Sequence, residues 1–118
     1  MTPSRSEDLH IETSESPNGA RIFKLIGPLT LRTLFEFQTL SRTDHTAPVI
    51  IDIAGVPYMD SAGLGSMIGV FTSCQRSQRG FGIVGVSERI RTLFEVTGCN
   101  GMLPCYDSIE AADAAVHH

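Results

Sequence analysis

The distribution of apolar and polar residues predicts strands and helices that alternate along most of the chain. Residues 49–53 are almost entirely apolar and rich in β-branched side chains, as central strands covered on both faces are. After Ser61, apolar residues recur every three or four positions, which is typical of an amphipathic helix. The predicted apolar stripe of that helix comprises Leu64, Met67, Ile68, Phe71 and Cys74.

Two glycines, Gly65 and Gly69, lie four positions apart within this predicted helix. A glycine in a helix interior costs about 1 kcal/mol relative to alanine. Two explanations stay open at this point: close approach to a neighbouring backbone, or simple tolerance.

The N-terminal third predicts a β-hairpin. Residues 9–13 alternate apolar and polar side chains, which indicates a half-buried strand, and residues 20–26 form a second strand that pairs with it. Residues 16–19 are a turn signal between them, in which Asn18 and Gly19 are expected to supply the two positive-φ positions of a hairpin turn.

The next helix is predicted to begin after an N-cap at Thr30 and to run to about Arg42. Its apolar face is broad, as expected for a helix that lies on a sheet. The residues assigned to that face are Leu31, Leu34, Phe35 and Gln38, with Phe37 and Leu40 beside them.

The remainder of the chain continues the alternation. The helix after Ser61 is expected to extend to about Gln78 and to stop at Gly80. The further predicted elements are a strand over 81–86, a helix over 88–97 capped by Ser87, a short strand over 102–106, and a helix over 108–116 with an Asp107–Glu110 capping box.

This order of elements predicts a single α/β domain. Strands that alternate with helices require crossover connections and hence a mainly parallel sheet, to which the hairpin adds an antiparallel pair. We expect a mixed sheet of four to five strands with about four helices. Residues 1–8 are expected to form a disordered polar arm, residues 9–116 the domain, and residues 117–118 a tail.

Composition narrows the possible functions. The chain has 118 residues and a formal net charge of −4, so the basic surface of a nucleic-acid-binding protein is not expected. No apolar run reaches the roughly 20 residues of a membrane helix, and residues 1–8 lack the apolar core of a signal peptide, so we expect a cytoplasmic protein. The histidines and the three cysteines show no metal-ligand or disulfide spacing, so neither a metal nor a cofactor is expected.

A polar junction between the central strand and the following helix carries the most informative side chains. Asp60 and Ser61 follow Gly55 and Pro57, where the strand breaks. Free backbone N–H groups and the helix dipole make such a position favourable for an anion. Both residues are also good N-caps, so spacing alone leaves capping and regulation about equally open.

Enzymatic alternatives receive little support from the residues. Ser61 lies in the sequence Met-Asp-Ser-Ala-Gly, which lacks the first glycine of the nucleophile-elbow motif, and neither His10 nor His45 is placed to complete a triad. Residues 63–65 lack the Lys-Ser/Thr of a phosphate-binding loop and the third glycine of the dinucleotide fingerprint. We therefore do not expect an enzyme.

The junction, together with the strand before it, resembles the signature of STAS domains, which comprise anti-sigma factor antagonists and the cytoplasmic tails of sulfate transporters. The resemblance covers nearly the whole chain and implies the STAS fold. The residues that carry it are 49–53, Val56, 58–65, Gly27-Pro28-Leu29, Gly80, Gly85-Val86-Ser87 and 93–98.

The resemblance implies a protein-binding regulator of transcription. In the family's antagonists, a serine or threonine matching Ser61 is phosphorylated by the anti-sigma factor, a serine kinase of ATPase fold. The unmodified antagonist binds the anti-sigma factor and frees the sigma factor; phosphorylation blocks this binding, and a phosphatase restores it. The residues implied to border the contact are Leu29, Thr30, Asp60, Ser61, Ala62, Gly63 and Leu64.

The chain departs from the family at Thr30, where many antagonists carry an acidic residue; this bears on the partner or the regulation and not on the fold. Neither direct nucleic-acid contact nor membrane contact is expected, and the domain is expected to be a monomer or a weak dimer. An alternative is a STAS accessory subunit of a lipid-transport ABC system, with Ser61 as an unmodified contact residue. A third hypothesis is an enzyme with Ser61 as nucleophile.

Overall fold

The structure is a computed structural model that describes residues 8–42 and 46–117. The predicted arm lies outside the described residues except for Asp8, as do His45 and His118. The elements in chain order are β1 (His10–Glu15), β2 (Arg21–Ile26), α1 (Leu34–Ser41), β3 (Val49–Gly55), α2 (Ser61–Arg76), β4 (Phe81–Val84), α3 (Glu88–Val96), β5 (Cys105–Tyr106) and α4 (Ile109–Ala115).

The five strands form one mixed sheet in the order β1-β2-β3-β4-β5. β1 pairs antiparallel with β2, and every other neighbouring pair is parallel. The carboxyl ends of β2, β3 and β4 therefore meet at one edge of the sheet, from which α1, α2 and α3 begin. The predicted fold class is confirmed.

Alternate residues of the central strands face two different helical layers. Phe23, Ile51 and Ile83 belong to the larger core, which they share with α1, α2 and α3. Ile50 and Val84 lie on the opposite face, packed with α4. β3 is therefore covered on both sides, which explains the almost continuous apolar run that predicted it.

The hairpin turn is built differently from the prediction. Gly19 has a positive φ of 96°, but Asn18 does not, so the assignment of two positive-φ positions was wrong. The Gly19 N–H donates to the Ser16 carbonyl oxygen (3.0 Å), and the Ala20 N–H donates to Ser16 Oγ (2.7 Å). The side chain of Ser16 is thus part of the turn.

A buried carboxylate joins this turn to the C-terminal helix. Asp113 of α4 is 4% exposed, and its Oδ1 accepts a hydrogen bond from Ser16 Oγ at 2.6 Å. Its Oδ2 accepts from Asn18 Nδ2 (3.0 Å) and from the Asn18 N–H (3.3 Å). His117 Nε2 lies 3.0 Å from Oδ1. The network holds α4 against the hairpin, and its bonds from Ser16 and Asn18 join residues that are 97 and 95 positions apart in the sequence.

Several helix ends differ from the predicted ones. α2 ends at Arg76, and the left-handed residue after it is Gln78 (φ 58°), not the predicted Gly80. α4 is capped by Ser108, whose Oγ accepts from the Ala111 N–H at 3.0 Å, so the capping box from Asp107 was wrong. The predicted Ser87 cap of α3 is confirmed by its bond from the Ile90 N–H at 3.2 Å.

The explanation of Gly65 and Gly69 by close backbone approach was also wrong. A Cβ added at either position would meet nothing within 4 Å. Both glycines border an open groove between α1 and α2. The buried stripe of α2 includes Leu64, Met67 and Cys74, as predicted, and also Val70.

Candidate functional site

Asp60, and not Ser61, caps helix α2. The Asp60 backbone is extended (φ −102°, ψ −176°), and its Oδ1 accepts a hydrogen bond from the Gly63 N–H at 2.8 Å. Ser61 is the first helical residue and is exposed. Within residues 8–42 and 46–117, its hydroxyl makes no hydrogen bond. Capping therefore falls to Asp60, and the hydroxyl of Ser61 stays accessible.

The second carboxylate oxygen of Asp60 reaches a neighbouring loop. Asp60 Oδ2 accepts from the Leu31 N–H at 3.1 Å. The Asp60 N–H donates to the Leu29 carbonyl oxygen (3.3 Å), and the Leu29 N–H donates to the Tyr58 carbonyl oxygen (3.2 Å). Leu29 and Met59 form an isolated parallel bridge. The loop before α1 and the loop before α2 are therefore tied together by backbone bonds and by one side chain.

Gly63 allows these two loops to touch. A Cβ at this position would lie 2.0 Å from the Leu29 carbonyl oxygen, which no side chain can tolerate without movement of the backbone. Leu29 and Leu64 are 0% and 4% exposed, so their side chains belong to the core. The family resemblance implies that both residues border the contact; their side chains are buried and lie beneath it.

Thr30 does not cap α1, contrary to the prediction. The helix begins at Leu34 after Thr33, whose side chain makes no cap bond. Thr33 Oγ1 instead accepts from the Thr30 N–H (2.9 Å) and donates to the Pro28 carbonyl oxygen (2.9 Å). Thr30 Oγ1 accepts from the Arg32 N–H at 3.3 Å. The hydroxyls of Thr30 and Thr33 therefore stabilise a turn that delays the helix.

Two apolar side chains that the sequence assigned to the buried face of α1 are exposed: Leu31, which precedes the helix, and Phe35 in its first turn. Leu31 is 61% exposed and Phe35 is 67% exposed, whereas Leu34 and Phe37 are buried. The Leu31 N–H is bonded to Asp60, so Leu31 lies beside the start of α2. The sequence pattern did not reveal this surface, because the buried face of a short helix is hard to assign when its first residue is not known. Thr30 and Thr33, three positions apart, were the signal that a turn precedes the helix.

The other side of the junction carries an aromatic residue. Tyr58 is 37% exposed, and the guanidinium carbon of Arg89 lies 5.5 Å from the centre of its ring. This arrangement is a cation–π contact. Of the remaining predicted residues, Ala62 and Thr30 are partly buried and Asp60 is exposed. Asp60, Ser61, Ala62 and Thr30 therefore contribute accessible surface at one place.

The described residues provide no partner for nucleophilic or metal chemistry at Ser61. His10 lies on the edge strand β1, 3.6 Å from Glu12, and His117 contacts Asp113. Over residues 8–42 and 46–117, no three His, Cys, Asp or Glu side chains are arranged to hold a metal ion. No helix in this part of the chain has the length and apolar character needed to cross a membrane.

The fold and the junction define a class: a small α/β domain with an exposed hydroxyl at a helix N-terminus. The STAS domain family profile matches residues 11–112. An anti-sigma-B factor antagonist from Staphylococcus aureus is 32% identical over 106 residues, which cover 87% of this chain and 97% of the relative. The chain belongs to the STAS domain family.

Solved structures share the fold at low sequence identity. An anti-sigma factor antagonist from Mycobacterium paratuberculosis superposes with a TM-score of 0.84 at 18% identity, over 98% of this chain and 100% of that one. The anti-sigma factor antagonist SpoIIAA in its unphosphorylated form superposes with a TM-score of 0.69 at 15% identity, over 86% of this chain and 92% of that one. The resemblance stated from the sequence is confirmed.

Proposed function

We propose that this protein is an anti-sigma factor antagonist that binds its anti-sigma factor through the surface around Ser61 and loses that binding when Ser61 is phosphorylated. The observation that carries the proposal is the division of roles at the start of α2. Asp60 caps the helix, so the exposed Ser61 hydroxyl is available to a second protein. The relative from Staphylococcus aureus, named an anti-sigma-B factor antagonist, supports this function.

The proposed modification is a phosphoryl transfer from ATP. The bond between the γ-phosphorus and the bridging oxygen of ADP breaks, a bond to Ser61 Oγ forms, and the hydroxyl proton leaves to a base of the kinase or to water. The anti-sigma factor, as a serine kinase of ATPase fold, supplies the ATP site. A phosphatase restores the hydroxyl by transferring the phosphoryl group to water.

The added charge explains why binding would be lost while the fold is kept. A phosphoserine carries about −1.5 to −2 charges at neutral pH. In the free protein this charge is exposed to water and partly offset by the N-terminus of α2. In a complex that covers Ser61, the phosphate would be removed from water beside the carboxylate of Asp60.

A small change in the free energy of binding is enough for a switch. A hundredfold loss of affinity corresponds to about 2.7 kcal/mol. Burial of an uncompensated ion costs more than this. In the proposed cycle, the unmodified protein occupies the anti-sigma factor and frees a sigma factor for transcription, and the phosphorylated protein does not. This protein itself needs no cofactor, nucleic acid or membrane for its part in the cycle, and it acts in the cytoplasm as a monomer or a weak dimer.

The proposal is tested by incubation with the cognate anti-sigma factor and ATP, followed by mass spectrometric mapping of the phosphate. We expect one phosphate on Ser61 and none on a Ser61→Ala variant. Ser87→Ala is the matched control, because Ser87 is also an exposed serine at the start of a helix. Incorporation at Ser87 or elsewhere, with Ser61 unmodified, would overturn the proposal.

A further inference from the structure

The two oxygens of a single carboxylate hold two separate parts of the candidate surface. Asp60 Oδ1 accepts from the Gly63 N–H of helix α2 at 2.8 Å. Asp60 Oδ2 accepts from the Leu31 N–H in the loop before α1 at 3.1 Å. Because both bonds end on one rigid planar group, rotation of the Asp60 side chain changes both at once.

The loop held by Asp60 and the first turn of α1 after it carry apolar surface. Leu31 is 61% exposed, and Phe35, four residues further on, is 67% exposed. The Thr30–Thr33 turn is closed within itself by the Thr33 N–H, which donates to the Thr30 carbonyl oxygen (3.0 Å), and by the Thr33 hydroxyl. The bond from the Leu31 N–H to Asp60 is what attaches this turn to the start of α2. Aromatic and large apolar side chains are enriched at the centres of protein interfaces.

A phosphate on Ser61 would compete directly with this arrangement. It would lie on the residue next to Asp60 at the same helix N-terminus, and its three strong acceptor oxygens favour the same N–H groups. Two anionic groups this close also repel each other. The carboxylate, which is the weaker of the two charges, is then expected to give up its bonds to Gly63 and Leu31.

We propose that Asp60 is a positioning residue that transmits the state of Ser61 to the loop that carries Leu31 and leads into α1, where Phe35 lies. Phosphorylation then acts in two ways: it adds charge at the contact, and it releases Leu31 from its position beside α2. This inference rests on the proposed function, because it assigns the regulation of that same site.

The test uses phosphoserine incorporated at position 61 during translation, so it does not depend on any kinase. Amide hydrogen exchange is measured residue by residue by NMR on the free protein. We expect the Leu31 amide to exchange about tenfold faster in the phosphorylated form, which corresponds to about 1.4 kcal/mol. The Ile90 amide, which is capped by Ser87 on α3, is the internal reference and should not change.

Two further proteins separate transmission through Asp60 from a general effect of charge. Phosphoserine at position 77, an exposed serine just after α2, adds the same charge at the other end of the helix and should leave the Leu31 amide unchanged. Asp60→Asn keeps a good N-cap but only one acceptor oxygen. In this variant Leu31 should exchange faster without any phosphate, and phosphoserine at position 61 should add little.

The outcomes are distinct from those that test the proposed function. An unchanged Leu31 amide in the phosphoserine-61 protein overturns the transmission through Asp60, even if binding to the anti-sigma factor is lost. The proposed transmission is also overturned if phosphoserine at position 61 accelerates exchange of the Leu31 amide in Asp60→Asn as much as it does in the wild type. Failure of the anti-sigma factor to phosphorylate Ser61 would overturn the proposed function and leave this exchange measurement unaffected.

Discussion

Gly63 lies directly against the carbonyl oxygen of Leu29, at a place where a Cβ atom would be 2.0 Å from that oxygen. The contact lets the first turn of α2 approach the loop before α1. The Asp60 carboxylate accepts a hydrogen bond from each segment, from the Gly63 N–H and from the Leu31 N–H. The geometry of the candidate site therefore depends on a buried glycine that has no side chain to react or bind.

Gly63→Ala should destabilise the fold, because the obstacle is backbone and cannot move away cheaply. Overpacking of this kind typically costs about 1–3 kcal/mol. Urea unfolding measures the free energy of unfolding. Gly65→Ala and Gly69→Ala are matched controls in the same helix; their Cβ atoms meet open space, so each should stabilise the protein by up to about 1 kcal/mol. A Gly63→Ala variant as stable as the wild type would contradict the close contact.

Ser61→Asp should weaken binding to the anti-sigma factor by at least about tenfold, or about 1.4 kcal/mol, while the melting temperature stays close to that of the wild type. The side chain is exposed and does not cap the helix, so stability should change by no more than about 0.5 kcal/mol. Ser87→Asp is the control, since it places the same charge at the start of α3 and should not affect binding. Unfolding of Ser61→Asp would identify Ser61 as a structural residue.

Leu31→Ser and Phe35→Ser should each reduce affinity for the anti-sigma factor by about 1–2 kcal/mol, as is common for apolar residues inside an interface. Both side chains are more than 60% exposed, so the fold should be little affected. Val96→Ser is the matched control: Val96 is 79% exposed but lies at the far end of α3. Surface plasmon resonance with immobilised anti-sigma factor gives the comparison. Equal losses for all three variants would argue against a specific apolar contact.

Acid should destabilise the protein through Asp113. Burial alone would raise the pKa of this carboxyl. The hydrogen bonds from Ser16, His117 and Asn18 together lower it by more, so the pKa lies below the ordinary value of 3.8. A depressed pKa means that the stabilisation is present above the ordinary value and is lost as pH falls through the folded-state pKa. Thermal unfolding between pH 2 and pH 7 measures this loss.

Asp113→Asn removes the titrating group and should flatten that acid dependence. At neutral pH the variant should be less stable by about 1–3 kcal/mol, because its single amide oxygen cannot replace both carboxylate oxygens and either Ser16 or Asn18 loses its acceptor. An unchanged acid dependence in Asp113→Asn would show that other carboxyl groups dominate it.

The sequence predicted those parts of the fold in which local pattern and tertiary environment agree. β3 was identified by its apolar run, because a strand buried on both faces is apolar at nearly every position. α2 was identified by apolar residues three and four positions apart, because only one face of that helix is buried. The junction between them was also recognised, since Asp and Ser before a helical stripe are typical of a helix start.

The errors arose where a long-range contact or a side-chain bond decides the local structure. The bonds of Thr33 to Thr30 and Pro28 stabilise a turn before α1, so that Leu31 lies outside the helix. No local pattern indicated that Gly63 would meet Leu29, 34 residues earlier, or that Asp113 would bond Ser16, 97 residues earlier. Such pairings follow from the topology of the sheet and not from the spacing of residues.

The most direct test of the central claim is a calorimetric titration of the anti-sigma factor with two forms of this protein, one unmodified and one carrying phosphoserine at position 61. We predict that the unmodified form binds and that the phosphorylated form binds at least about 100-fold more weakly, a difference of about 2.7 kcal/mol. Equal affinity of the two forms would contradict the claim that the charge state of Ser61 decides which partner the protein binds.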